Sequence, residues 1–323
     1  MSQLLEATGV VVEFASRGRR ARAVDNVNLA VGPGEIVALV GESGCGKTTL
    51  ARTLLGLERP TSGQVSYDGT PLNYTGRRLR AFRRQVQLVL QDPMGSLNPR
   101  QTVYEAVAEG PRIHGLADEE AVVASALSRA GLRPPERFFL RYPHELSGGQ
   151  RQRVVIAGAL ALSPKVLIAD EPVASLDASV RGEILSLLLR LRDELGLAAL
   201  VVTHDLGLAW NIADRVAVMY LGRIVESGPT EQVLTNPQHP YTQALLSVLP
   251  ESPERIVLTG EPPDPTRIPT GCRFHPRCQL VAAGKATDAC TTTTLPVLPP
   301  TTSSQVACHL APVTTGPPAP SAI

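Results

Sequence analysis

An α/β fold built on a mostly parallel sheet is predicted by three observations. Short apolar runs at residues 166–169, 198–203 and 215–219 alternate with a longer apolar helix at 180–195, the β-α-β rhythm of a sheet covered on both faces. Another apolar run, residues 36–40, leads directly into Gly41-Glu42-Ser43-Gly44-Cys45-Gly46-Lys47-Thr48, a glycine-rich turn that opens a helix. From about residue 92 to residue 162 the periodicity becomes helical, which marks an insertion into the order of strands.

In chain order, residues 3–40 alternate short apolar runs with Gly and Pro turns and predict a small β-layer leading into the strand at 36–40. Residues 50–56 continue the helix after the glycine turn, and residues 64–67 and 86–90 read as further strands. Helices follow at 103–114 and 119–130, broken by Gly131 and the Pro134-Pro135 pair, and then at 151–162. Past Pro250 proline becomes dense and periodicity fades, and the last dozen residues, rich in Pro, Thr and Ala, predict disorder. The expected division is therefore a main domain at 1–250 with a helical subdomain at about 92–162, a C-terminal extension at 251–310, and a tail at 311–323.

Composition narrows the function. With 31 basic and 30 acidic residues and a formal net charge of +1, no global field draws the chain to nucleic acid or an anionic membrane. Two basic clusters, Arg17, Arg19, Arg20 and Arg22, then Arg77, Arg78, Arg80, Arg83 and Arg84, are not richly interleaved with aromatics and read as solvated faces. No apolar stretch approaches the roughly 18 residues of a spanning helix, and residues 1–14 read as strand rather than as a signal peptide. A cytoplasmic chain that meets a membrane only through a partner is the expectation. Of five cysteines, four lie in the last 52 residues, which indicates local chemistry rather than a fold-wide disulfide framework.

The chemistry begins at the glycine turn. Glycines allow consecutive backbone N–H groups to face inward while the next helix aims its N-terminus at the same point, a cradle for phosphate. Lys47 can neutralise terminal phosphate oxygens and Thr48 can ligate Mg²⁺, so the anion is a nucleotide. A second anion cradle, Leu146-Ser147-Gly148-Gly149-Gln150, starts the helix at 151–162, yet one nucleotide does not need two. The strand at 166–169 ends in Asp170-Glu171, adjacent carboxylates that strand alternation points to different sides. Asp170 is placed to hold Mg²⁺ and Glu171 to polarise an attacking water. Gln91 follows one strand and His204 another, each able to reach a γ-phosphate, its water or the metal.

In this order, the phosphate loop, Gln91, Leu146 to Gln150, Asp170-Glu171, Ser175-Leu176-Asp177 and His204 resemble the full motif set of ATP-binding cassette (ABC) ATPases. Wider wording, from Gln91-Asp92-Pro93 through Ser96-Leu97-Asn98-Pro99-Arg100, Tyr142-Pro143-His144-Glu145 and His239-Pro240-Tyr241-Thr242, is similar to the subfamily that energises dipeptide, oligopeptide and nickel importers. The resemblance spans roughly residues 3–310, and its departures, Thr48-Thr49 and Thr203 where serine is common, remove no needed group. It implies an ABC-type nucleotide-binding domain, mostly parallel sheet plus β-layer and helical subdomain, with a small cysteine-bearing C-terminal extension. It implies transport-coupled ATP hydrolysis in which Lys47, Gln91, Glu171 and His204 are catalytic. ATP would be held by Phe14, which stacks on adenine, by Gly41, Ser43, Gly44, Cys45, Gly46, Lys47, Thr48 and Thr49, and by Ser147, Gly148, Gly149, Gln150 and Asp177 of a second subunit. Mg²⁺ would lie on Thr48, Gln91 and Asp170.

The implied partners are a second ABC ATPase subunit, identical or related, transmembrane permease subunits whose short helix docks beside Gln91, and an extracytoplasmic solute-binding protein reached through the permease. No nucleic acid is implied, and the location is the cytoplasmic face of the membrane, peripherally. Import of peptides is the expected role; uptake of nickel or another small solute, or a non-transport ABC ATPase, is the alternative.

Cys272, Cys278, Cys290 and Cys308 are separated by five, eleven and seventeen residues, not the C-x-x-C spacing usual for zinc. Thiolates suit an iron–sulfur cluster or zinc, and a poorly periodic segment gains from such a cross-link. The run Gly271 to Cys278 resembles a C-terminal motif of the same importers that implies a [4Fe-4S] cluster, with zinc as the alternative and disulfides third. Cys45, near a helix N-terminus and Lys47, has the setting in which a thiol's pKa falls, so alkylation blocked by ATP is expected there, unless it is a small loop residue of no chemical consequence.

Overall fold

The computed structural model describes residues 3–16, 18–174, 176–249 and 255–311. The chain opens with β1 (Leu5–Ser16), β2 (Arg19–Val31) and β3 (Ile36–Val40), which leads into α1 (Lys47–Leu54). β1 pairs antiparallel with β2 and with β4 (Ser62–Tyr67), and β5 (Thr70–Pro71) completes a four-stranded sheet in the order β2-β1-β4-β5. Next comes α2 (Gly76–Gln85), which buries Phe82 and exposes Arg77, Arg78, Arg80 and Arg84, so the second basic run is one solvated helix face.

The central sheet takes β3, β6 (Val86–Val89), β7 (Val166–Asp170), β8 (Ala198–Thr203), β9 (Arg215–Tyr220), β10 (Arg223–Pro229) and β11 (Gln305–Val306) in the order β11-β10-β9-β3-β8-β7-β6. From β9 to β6 the pairing is parallel, and β10 and β11 add antiparallel strands at the edge. Every residue of β3, β8 and β9 is buried, which is why these strands read as unbroken apolar runs instead of alternating. Parallel register puts the carboxyl ends of β3, β8, β7 and β6 side by side.

Between β6 and β7 lies helical structure: α3 (Pro93–Ser96), α4 (Val103–His114), α5 (Glu119–Arg129), α6 (Glu136–Phe139) and α7 (Gly148–Leu160). Local chemistry fixes their starts, as where the Thr102 hydroxyl accepts from the Glu105 N–H at 3.2 Å while the Glu105 carboxylate accepts from the Thr102 N–H at 2.8 Å. Val103, Val107, Val123, Leu127, Val154 and Ile156 recur at helical spacing and join one core with Leu167, Ala169 and Val201 of the sheet. A second core lies between the two sheets, where Leu5, Val12 and Leu29 meet Val37, Leu39 and Val202.

α8 (Ala178–Leu195), capped by Asp177, precedes β8, and α9 (Leu206–Ile212) precedes β9. After β10 come α10 (Thr230–Thr235), α11 (Pro240–Leu246), α12 (Gln279–Ala282) and α13 (Ala289–Thr292). Residues 271–311 do not hang free of the sheet: β11 extends its edge, and Phe274 and Cys278 pack with Val40, Val218, Tyr220 and Tyr241 in a third core. Residues 312–323, where disorder is expected from composition, lie outside the described residues. Among the described residues no helix is long and apolar enough to cross a membrane.

The third core buries polar groups. Glu226 is 1 % exposed, and its carboxylate accepts from the Gln238 N–H at 2.7 Å and the His239 N–H at 3.0 Å. His239 accepts from the Tyr241 N–H at 3.0 Å, and burial lowers its pKa to about 3 from an ordinary 6.5. The unfolded chain thus takes up a proton near pH 6.5 that the folded chain refuses until about 3, and stability falls as pH drops through that window. Burial raises Glu226 and opposes this, so the imidazole is isolated by comparison with His239→Gln. Urea midpoints at pH 7 and pH 5 are expected to differ more for the wild type than for the variant, by up to about 1.4 kcal/mol per pH unit of slope; equal losses would show that His239 is not the group that titrates.

Candidate functional site

A cavity of 560 Å³ opens at the carboxyl ends of the parallel strands, lined by Ala23, Ser43, Gly44, Gly46, Lys47, Thr48, Thr49, Gln91, Asp170, Glu171 and His204. They come from five places: the loop after β3 with the start of α1, the end of β6, the end of β7, the end of β8, and β2 for Ala23. The loop's shape depends on glycine at two positions. Gly41 has φ of 156° and a Cβ there would lie 2.2 Å from the Met219 carbonyl oxygen; at Gly46, φ is 110° and a Cβ would lie 2.2 Å from that of Ala23. No other residue lets the backbone pass this close to its neighbours.

Lys47 is 7 % exposed and its Nζ donates to the carbonyl oxygens of Gly41 at 2.7 Å and Glu42 at 2.9 Å, so its charge is held over the loop. Burial raises the Asp170 carboxyl above its ordinary value, the Thr48 hydroxyl and Lys47 pull it back, and the Glu171 carboxylate pushes the same way as burial. Glu171 sits at φ of 50°, a left-handed conformation uncommon outside glycine, with its N–H donating to Val202 at 2.8 Å. The turn sets its carboxylate 2.7 Å from His204 Nδ1 at the exposed rim. Such an exposed contact adds little to stability, so this geometry belongs to the site rather than to the fold. Thr203 accepts from the Asp205 N–H at 3.0 Å, as a serine hydroxyl could.

Other residues expected at an ATP site lie elsewhere. Ser147 caps α7, accepting from the Gln150 N–H at 3.2 Å, while Gln150 accepts from the Ser147 N–H at 3.0 Å. Asp177 caps α8, accepting from Val180 N–H at 3.0 Å. Ser147, Gly148, Gly149, Gln150 and Asp177 do not line the cavity, and neither does Phe14, which stands 39 % exposed on β1 opposite Ala21. Ser175 lies outside the described residues. Ala23 carries no sequence signal for the site; only the pairing of strands brings it there.

Comparison with known proteins agrees with the geometry. The family model "ABC transporter" matches residues 24–174, and "Oligopeptide/dipeptide transporter, C-terminal region" matches 225–284. The chain is 46 % identical over 284 residues to the dipeptide transport ATP-binding protein DppF of Haemophilus influenzae, covering 85 % of each chain. This chain belongs to the ATP-binding cassette family. It is an ABC ATPase, with ATP as substrate. Among solved structures it is similar to CbiO1 of Clostridium perfringens, part of the ABC transporter complex CbiONQ, with a TM-score of 0.66, 32 % identity, and coverage of 73 % of this chain and 92 % of that one. It is also similar to the dimeric cassette MJ0796 in a post-hydrolysis state with ADP and phosphate, at a TM-score of 0.62, 31 % identity, and coverage of 70 % and 99 %.

Two expectations need correction. The [4Fe-4S] cluster, and zinc in its place, are not supported. Cys272, Cys278, Cys290 and Cys308 do line one space with Phe274, but its volume is about 10 Å³, the size of a single water, and it is apolar. Among the described residues no group of three or more His, Cys, Asp or Glu side chains is arranged to hold a metal ion. All four are free thiols, and burial pushes Cys272 up to about 11 and raises Cys308, which favours the protonated form over the thiolate a metal needs. Cys278 and Cys290 serve here as small apolar groups in a core, with Cys272 packed against it and Cys308 half-buried.

Cys45 departs from expectation in the same direction. It is 6 % exposed, and burial raises its thiol pKa by more than Lys47 and the backbone lower it. Alkylation of Cys45 by iodoacetamide at pH 7, followed by mass spectrometry, is expected to run at least about tenfold slower in the native protein than in urea. Labelling at the urea rate would mean the loop exposes a thiolate.

Proposed function

We propose that this ABC ATPase is the ATP-hydrolysing subunit of a peptide importer, working in a pair that closes around ATP. The observation that carries the reading is the separation of two anion cradles: Lys47, Thr48, Asp170, Glu171 and His204 share one cavity, while Ser147 to Gln150 cap an exposed helix start away from it. A donor set split in this way is completed by a second subunit, which presents its own Ser147, Gly148, Gly149, Gln150 and Asp177 to the triphosphate. MJ0796 is a dimeric cassette, which supports the arrangement.

Within the cavity the inward backbone N–H groups from Ser43 to Thr49 would bind the phosphates, with Lys47 exchanging its carbonyl partners for phosphate oxygens. Thr48, Gln91 and Asp170 offer oxygen donors, which fit Mg²⁺; the ion would neutralise charge on the β- and γ-phosphates. Glu171 would accept the proton of the attacking water as its oxygen bonds to the γ-phosphorus and the bond to the β-bridging oxygen breaks, releasing ADP. His204, in contact with Glu171, would hold the γ-phosphate and orient that carboxylate. Phe14 is exposed on β1 and free to stack on adenine.

Transport follows from the relatives. DppF is named for dipeptide transport, and the C-terminal family model describes oligopeptide and dipeptide transporters, so peptides are favoured over nickel or another small solute. The chain would attach peripherally at the cytoplasmic face of the membrane through permease subunits, with a solute-binding protein delivering peptide from the other side. Glu171→Gln is expected to lower ATP hydrolysis by about 10²- to 10⁴-fold while MgATP still binds, so that a dimer accumulates on size-exclusion chromatography. An unchanged rate would remove Glu171 from the mechanism, and a variant that stays monomeric with saturating MgATP would count against closure in pairs.

A further inference from the structure

The phosphate loop carries an acidic side chain, Glu42, which does not line the cavity but sits beside Ser43, one of the residues that do, and so next to a site for a polyanion. A carboxylate there repels triphosphate unless something neutralises it. The neutralising group is Arg277, which lies 235 residues further on and forms a two-pronged pair, Nη1 to Glu42 Oε2 at 2.8 Å and Nη2 to Glu42 Oε1 at 3.1 Å. Arg277 is 8 % exposed and locked in a segment whose Phe274 packs against Tyr220 and Tyr241 at ring-centroid distances of 5.2 Å and 5.4 Å. A partly buried, forked contact of this kind is stronger and more directional than a fully exposed ion pair.

The remaining polar groups of Glu42 are fixed as well. Its N–H donates to the Tyr241 hydroxyl at 2.8 Å, and its carbonyl accepts from Lys47 Nζ at 2.9 Å and from the Cys45 N–H at 3.3 Å. The side chain and the N–H are thus both held by residues from beyond β10, and the carbonyl they position is one of two that hold Lys47.

We infer that Arg277 is a positioning residue for ATP binding: it cancels the Glu42 charge and, with Tyr241, sets the peptide on which Lys47 rests. The C-terminal segment would therefore tune nucleotide affinity without touching nucleotide. This rests on the reading of Lys47 and its loop as the ATP site, and Lys47→Ala tests that reading separately.

Binding of MgATP by isothermal titration to the full chain decides the matter, with thermal melts to show that each variant is folded. Arg277→Met is expected to bind MgATP about tenfold more weakly and to raise KM with little change in kcat. Adding Glu42→Gln to Arg277→Met is expected to recover most of that loss, because the uncompensated carboxylate is gone; a merely structural role for Arg277 predicts no recovery. Wild-type affinity in Arg277→Met, or a double variant as weak as Arg277→Met, would overturn the inference. If Arg277→Met does not fold, Arg277→Lys keeps the charge without the fork and is expected to bind about threefold more weakly; wild-type affinity there would overturn the positioning claim. Should Lys47→Ala bind as the wild type does, the site reading fails; should Lys47→Ala lose binding while Arg277→Met keeps it, only the role of Arg277 fails.

Discussion

Parallel pairing of β3 with β8, β8 with β7 and β7 with β6 is the constraint on which the rest depends. Parallel strands end together, so the four connections that carry Lys47, His204, Glu171 and Gln91 leave the sheet at the carboxyl ends of its strands. Glu171, His204 and Gln91 stand one or two residues past the end of a largely apolar strand, and Lys47 follows β3 across the glycine loop that begins at Gly41. The buried length fixes position, and the polar residue that follows is placed where water, ion and phosphate can reach it. Glu171 shows the local cost, a non-glycine residue in the left-handed region at the turn where its carboxylate meets His204.

Much of this was legible because the sequence signal and the structural cause are the same. β3, β8 and β9 are buried on both faces and read as near-continuous apolar runs, with Thr203 closing β8 and Arg215, paired to Glu35, opening β9. α4 and α5 declare themselves by apolar spacing and by the break at Gly131 and Pro134-Pro135 that follows them. β10 was not legible: Arg223 to Pro229 contains Glu226, Ser227 and Gly228, and it is a strand because β9 and β11 pair with it, not because of its own pattern. α11 to α13 and β11 are likewise held by packing among aromatic and proline-rich segments without helical or alternating period.

The site divides along the same line. The loop from Gly41 to Thr48, the Asp170-Glu171 pair and His204 could be read because each follows a recognisable strand. Ala23, Tyr241 and Arg277 could not, since their relation to the loop exists only after residues far apart in sequence are folded together. The cysteines mislead in the opposite way. A run of thiols in a segment of weak periodicity invites a metal, but the segment is ordered by Phe274, Tyr220, Tyr241 and the edge strand β11, which leave the sulfurs in an apolar pocket with about 10 Å³ of space. Cys45 fails for a related reason: proximity to Lys47 and a helix start lowers a thiol pKa only where water also reaches the sulfur.

Burial therefore sorts the ionisable groups of this chain into two sets. His239, Glu226, Cys272 and Cys45 are shielded, and desolvation, the largest force on each, drives them toward neutrality. Lys47 and Arg277 are buried and Glu42 is half-buried, yet each is tied to an oppositely charged or carbonyl partner. A buried charge that is kept needs its partner, and removing one member leaves the other uncompensated. In a loop made to receive a triphosphate, the uncompensated member would be Glu42, of the same sign as the ligand. The third core, through Arg277 and Tyr241, is thus electrically and mechanically continuous with the phosphate loop, and the segment that pairs along the sheet's lateral edge at β11 reaches across to support the site at the strands' carboxyl ends.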